Sequence, residues 1–202
     1  MFYLLDVISH PEHYKYFFYS RNQIIFNEQD RCEGIYIIIQ GEVSIRTYNF
    51  YEQEYTITTL LEKASFGESL LFSHHPYYLG TIIANKATTL LYISKVELLQ
   101  LFNKPSFVAH FLLILSEKNL ENQFKIKILL QKQIKEKILF YLSEKQKQLH
   151  SPIIPIPSKE YLAKFLNVPR PSLSRALIQM RAEKLIDFNR KTIFLLDNCK
   201  IM

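Results

Sequence analysis

An α+β chain is predicted: an antiparallel β-unit first, then a long helix, then two short helices closed by a strand pair. Three observations carry this. Residues 22–95 hold short β-branched and aromatic runs separated by turn residues. The four glycines, Gly34, Gly41, Gly67 and Gly80, all fall among those runs. From about Val96 the pattern becomes helical, and no Pro or Gly interrupts it between Pro105 and about Lys147.

The expected strands include Gly34–Gln40 (GIYIIIQ), Glu42–Thr47 (EVSIRT), Glu54–Leu61 (EYTITTLL), Thr81–Ala84 and Thr88–Ile93 (TTLLYI). Regular short strands suggest a closed all-β unit. Glycines at their ends mark backbone positions that bar a Cβ: turns, bulges or close approach to a ligand. In the helical run, Leu120, Phe124 and Ile128 share one face, and Ile126, Leu130, Ile134 and Ile138 share another. A helix apolar on more than one face cannot bury itself on a small β-unit alone. A symmetric partner helix is the simplest cover. The three prolines of His150–Pro157 (HSPIIPIP) then read as a stiff connector.

Ser158–Asp187 reads as two amphipathic helices and a tight turn. Ser158 is a plausible N-cap, and Tyr161, Leu162, Phe165 and Leu166 recur at helical spacing. Asn167 sits where the turn needs tolerance of the left-handed region. Pro169 opens the second helix, whose Leu173, Leu177 and Met180 face inward. That leaves Arg170, Pro171, Ser174 and Arg175 on other faces near the helix start. This is the layout of a helix-turn-helix whose second helix enters the DNA major groove, where arginine suits guanine O6 and N7. The bland alternative is a helical hairpin with solvated arginines. RKTIFLLD (Arg190–Asp197), a basic turn leading into an apolar β-run, reads as a wing and makes the combination more specific.

Charge follows the same division. Residues 1–104 carry 8 Lys+Arg against 11 Asp+Glu, and residues 105–202 carry 17 against 8. An acidic front and a basic back fit a sensor followed by a nucleic-acid binder. Six lysines between Lys118 and Lys137 also fit a plain solvated helix. Cys32 and Cys199 are far apart and form neither a CxxC nor a disulfide framework. No run is long enough to span a membrane, and the N-terminus lacks a basic region before its apolar residues, so a cytoplasmic protein without membrane contact is expected. There is no Ser/His/Asp or Cys/His pattern and no GxxxxGK loop, so catalysis is not expected.

A β-unit, a long helix and a winged helix-turn-helix, in that order over 202 residues, resembles the Crp/Fnr family of bacterial transcription regulators. GIYIIIQGEVSI looks like the family's strand–turn–strand, and FGESLLF (Phe66–Phe72) looks like the start of its phosphate-binding cassette. LAKFLNVPRPSLSRALIQMRAEKLI matches its recognition segment without gaps, and KTIFLL its wing. The resemblance implies an N-terminal antiparallel β-roll of jelly-roll type over 1–104, a dimerisation helix over 105–134 and a winged helix-turn-helix over 135–202. It implies a homodimer on a pseudo-palindromic duplex DNA operator, with RNA polymerase as a further candidate partner. It places Arg170, Pro171, Ser174 and Arg175 at base-reading positions, and Ser158, Lys159, Ser172 and Lys191 at contacts to phosphate or wing backbone. Pro171 departs from the glutamate that family members often carry. It can offer only apolar contact, for example to a thymine methyl.

The sensor departs further. Cyclic-AMP-binding members follow Gly-Glu with Arg-Ser, which hold the cyclic phosphate. Counting from Gly67-Glu68 without a gap puts Tyr78 and Leu79 there. Glu68 remains, but a tyrosine and a leucine cannot neutralise a phosphate. Arg46 or Lys86 could substitute. Asn122 and Gln123 align with the helix positions that approach adenine, or form a polar notch in the dimer seam. A converted pocket would be bordered by Glu68, Tyr77 or Tyr78, and Asn122–Gln123, whereas a dead one would be filled by Tyr78 or Leu79. Cyclic AMP is therefore not expected. An iron–sulfur cluster is not expected without cysteines before Cys32, nor haem from the loop pair His74-His75. The rival reading is a cyclic-nucleotide-type ligand-binding module or enzyme subunit without DNA function.

Overall fold

A computed structural model describes residues 3–48 and 50–196. Asp197 and Cys199 lie outside the described residues. The chain divides into two compact units, 1–118 and 119–202, and the boundary falls within one helix.

The first unit is two four-stranded antiparallel sheets. One has β1 (Lys15–Tyr19), β8 (Thr88–Ser94), β3 (Gly34–Gln40) and β6 (Ser65–Phe66) in that order; the other has β2 (Ile24–Phe26), β7 (Thr81–Ala84), β4 (Glu42–Tyr48) and β5 (Glu54–Leu61). β1 was not legible as a strand, because KYFFY is an edge strand with mostly exposed side chains and shows no alternation. β3 and β4 are adjacent in sequence yet pair in different sheets, so Gly41 is a corner and not a hairpin turn. It has φ of 106°, and a Cβ there would lie 2.4 Å from Thr88 Oγ1. Gly67 is similar, with φ of 100° and a Cβ site 2.5 Å from the Gly34 carbonyl oxygen. Both close approaches are to the protein itself.

The core of this unit runs through Ile35, Ile37, Val43, Ile82, Leu90 and Ile93. The first turns of α3 (Pro105–Leu129) join it through Phe107, Phe111 and Ile114. β3 is buried almost continuously, as expected of a strand covered on both faces. A capping box at Ser94 starts α2 (Lys95–Leu101): the Ser94 amide donates to the Glu97 carboxylate at 2.7 Å, and the Glu97 amide to the Ser94 hydroxyl at 3.2 Å.

The long helical run is broken. α3 ends at Leu129, and α4 (Ile134–Leu149) starts after an extended Gln133. The cause is local capping. The Glu136 carboxylate accepts from the amides of Lys132 at 3.1 Å and Gln133 at 3.0 Å, a stop signal that a search for Pro or Gly does not find.

The second unit packs Ile128 of α3 and Ile138 and Leu142 of α4 with α5 (Lys159–Phe165) and α6 (Arg170–Ala182). A three-stranded sheet completes it, with β10 (Ile186–Phe188), β11 (Thr192–Leu195) and β9 (Ile153–Pro155) in that order. The connector is thus also a strand. Prolines 152 and 155 suit the edge position, while Ile154 and Ile156 are buried.

Candidate nucleic-acid interface

α5 begins as its sequence dictates. Ser158 is extended, and its hydroxyl accepts from the Tyr161 amide at 3.0 Å. Asn167 takes the left-handed conformation, φ 52°, and lets the chain turn into α6. Leu173, Leu177 and Met180 have no exposure, so they fix which face of α6 looks outward. Arg170, Pro171 and Arg175 are exposed on it, and Ser172 and Ser174 are half-buried. Pro171 fits the first turn, where no intrahelical N–H is needed. Arg175 Nη2 lies 3.5 Å from Ser172 Oγ.

The wing is β10, a turn and β11. Asn189 Oδ1 shapes the turn by accepting from the amides of Lys191 and Thr192, both at 2.9 Å. Between α5, the start of α6 and this turn lies a cleft of about 650 Å³, lined by Ser158, Lys159, Arg170, Phe188, Arg190 and Lys191 among others. Four of the eight residues expected from the sequence to meet DNA therefore share one cleft. Pro171, Ser172, Ser174 and Arg175 are not among its lining residues. Arg190 and Phe188 went unassigned in the sequence. The basic turn signalled Arg190, but nothing in the periodicity points to Phe188.

The sensor-like site is in the first unit. Glu68 opens α1 (Glu68–Leu71) and is 5% exposed. Lys118 of α3 holds both its carboxylate oxygens, at 3.0 and 3.1 Å, and also donates to the Ser65 carbonyl at 2.8 Å. Tyr78 is 3% exposed, and its ring stacks on Phe26 with centroids 4.7 Å apart. Tyr36 and Phe66, themselves stacked at 5.3 Å, lie beside that pair. Burial, followed by the neighbouring Cys32 thiol, pushes the Tyr78 hydroxyl far above the usual phenol range, and that weak sulfur neighbour stands in place of any nitrogen or oxygen partner among the described residues.

Tyr77 and Leu79 are exposed, and Asn122 and Gln123 are exposed on the part of α3 that belongs to the second unit. Arg46 and Lys86, the candidate substitute cations, are engaged elsewhere. Arg46 bonds Ser44 and Asn85 at 2.9 Å and Glu54 at 3.3 Å, and Lys86 pairs with Glu42 at 3.0 Å. At the N-terminus, His10, Glu12 and His13 bring ligand atoms within 4.8 Å of one another. The two imidazoles stack nearly parallel, at 16°, and His10 is hydrogen-bonded to Glu12 at 3.0 Å. Stacked rings direct their in-plane lone pairs along separate planes and not to one ion.

The cyclic nucleotide-binding domain model matches residues 16–104, and the Crp-like helix-turn-helix domain model matches residues 136–200. The chain belongs to the Crp/Fnr family. Solved structures share the fold at low identity. FixK2 of Bradyrhizobium japonicum is 16% identical with a TM-score of 0.59, covering 91% of this chain and 93% of its own. The regulator CLP of Xanthomonas campestris, described as responsive to c-di-GMP, is 21% identical with a TM-score of 0.61, covering 92% and 95%. The catabolite activator protein of Thermus thermophilus is 21% identical with a TM-score of 0.53, covering 96% and 93%. No curated protein sequence matches the chain. As a Crp/Fnr member the chain is a DNA-binding transcription regulator and not an enzyme. Among the described residues, no single helix is long and apolar enough to cross a membrane.

Proposed function

We propose that the chain is a cytoplasmic, homodimeric, sequence-specific regulator that reads a pseudo-palindromic operator and does not answer to a cyclic nucleotide. In this reading residues 1–104 are a former sensor, 105–134 the dimerisation helix and 135–202 the DNA-binding domain. The observation that carries it is the basic cleft, which unites Ser158, Lys159, Arg170 and Lys191 beside the exposed start of α6. Lys159, Lys191, Ser158 and Ser172 meet phosphates and set register, while Arg170, Pro171, Ser174 and Arg175 meet base edges. RNA polymerase is the partner that such binding would recruit or block.

A second copy covers α3. Leu112, Leu113, Leu120, Ile126 and Leu129 are all exposed along it, and Leu113 and Leu120 are one heptad apart. Two-fold pairing would set two recognition helices on half-sites about one DNA turn apart.

The closed state of the sensor-like site supports the last clause. Lys118 already neutralises Glu68, and Tyr78, which the sequence count sets against a phosphate ligand, is packed on Phe26. Output would then follow the amount of protein. The test is an operator selected from random duplexes. Arg175→Ala should cost about 1–3 kcal/mol on it and relax preference at one base pair per half-site, whereas Lys159→Ala should weaken all sequences alike. Equal losses of specific and non-specific affinity in Arg175→Ala would remove the base-reading role. Calorimetry should detect no binding of cyclic AMP or cyclic GMP, and neither should alter operator affinity; binding of either one would overturn the closed-site reading.

A further inference from the structure

Phe188 ends β10, half-buried, on the wall of the basic cleft. Two cations lie over its ring: the Lys159 ammonium 4.4 Å from the centroid and the Arg181 guanidinium carbon 3.8 Å from it. They are not equivalent. Arg181 is matched by a carboxylate, with its Nε 2.7 Å from Asp187 Oδ1, and it also donates to the Phe188 carbonyl oxygen. Lys159 has no carboxylate partner among the described residues, so the ring is what holds its ammonium. A lysine on four flexible methylenes otherwise loses much rotamer freedom when it grips a phosphate. An aromatic face that holds the charge in place beforehand removes part of that cost. Two cations near one ring would repel each other. Asp187 offsets the Arg181 charge, which leaves the π-face able to hold Lys159.

We infer that Phe188 is a positioning residue for DNA binding: its ring, clamped by the Arg181–Asp187 pair, holds the Lys159 ammonium in the cleft for a phosphate oxygen. This rests on the DNA-contact reading of Lys159. A leucine would fill similar space but lacks the negative π-face. A tyrosine keeps that face.

The test measures binding to a fluorescent mixed-sequence DNA duplex by anisotropy over a range of salt concentrations. Phe188→Leu should weaken binding by about two- to tenfold and flatten the log–log salt slope by about 0.9, the value of one lost phosphate contact. Phe188→Tyr should behave as wild type in both. In a Lys159→Ala background, Phe188→Leu should cause no further loss. The inference is overturned if Phe188→Leu keeps the wild-type slope and affinity, or if its loss persists in the Lys159→Ala background, which would make Phe188 a packing residue only. A wild-type slope unaltered by Lys159→Ala is a separate result: it would remove Lys159 from the phosphate contacts and overturn the reading beneath the inference.

Discussion

Lys118 bears directly on whether the first unit has a vacant or a closed site. Replacing it by Met strands the Glu68 carboxylate in a place that is 5% exposed. Lys118 itself is about one-third exposed, so the loss is discounted for solvent to about 1–3 kcal/mol, read from the urea midpoint. Glu68→Gln should cost less, since an amide can still accept from the lysine. Tyr78→Phe should leave stability unchanged or raise it by up to about 1 kcal/mol, because the hydroxyl removed is buried with only the weak Cys32 thiol beside it. A clear destabilisation would reveal a partner for that hydroxyl. The sequence identified Glu68 and Tyr78 through their place in a motif. It could not identify Lys118, because its distance of 50 residues from Glu68 has no period and only the fold closes it. The same holds for Phe188, whose role depends on a lysine and an arginine from two different helices.

At the scale of elements, local chemistry proved legible where it was punctuated by familiar residues. The Ser158 cap, the left-handed Asn167 and the apolar spacing of α6 all stand where the sequence put them. The missed break between α3 and α4 was made by a glutamate. Glu136→Ala should therefore cost about 1 kcal/mol and loosen the first turn of α4, seen as faster amide exchange at Lys132 and Gln133. A continuous helix in that variant would show that the side chain alone enforces the break. The wing carries a pH dependence. The Arg181 guanidinium, followed by the Phe188 amide, holds the exposed Asp187 carboxyl below its ordinary value. A carboxyl depressed in the folded state stabilises fully above its ordinary value near 3.8 and loses that contribution as pH falls through the lower folded value. Acid below about pH 4 should thus release β10 from the end of α6. Asp187→Asn should remove that step, followed by the Phe188 ring resonances. An unchanged transition would assign it to another group.

For the molecule as a whole, the decisive quantity is the number of chains. Sedimentation at micromolar concentration should give twice the chain mass of 24.0 kDa. Changing Leu113 and Leu120 together to Glu should yield monomers that retain their fold, because both side chains are already exposed. A wild-type monomer that occupies half-sites singly would sink the pairing of α3. The Glu68–Lys118 bond also has a historical consequence. Under the closed-site proposal, a descendant of this chain could not regain a small-molecule sensor by single steps of low cost. Losing Lys118 first leaves a buried charge unpaired, and shrinking Tyr78 first opens a hole among Phe26, Tyr36 and Phe66. Each intermediate is less stable than its parent and gains nothing until the other change arrives. Under the same proposal, drift away from ligand control would run as a ratchet once that pair had formed.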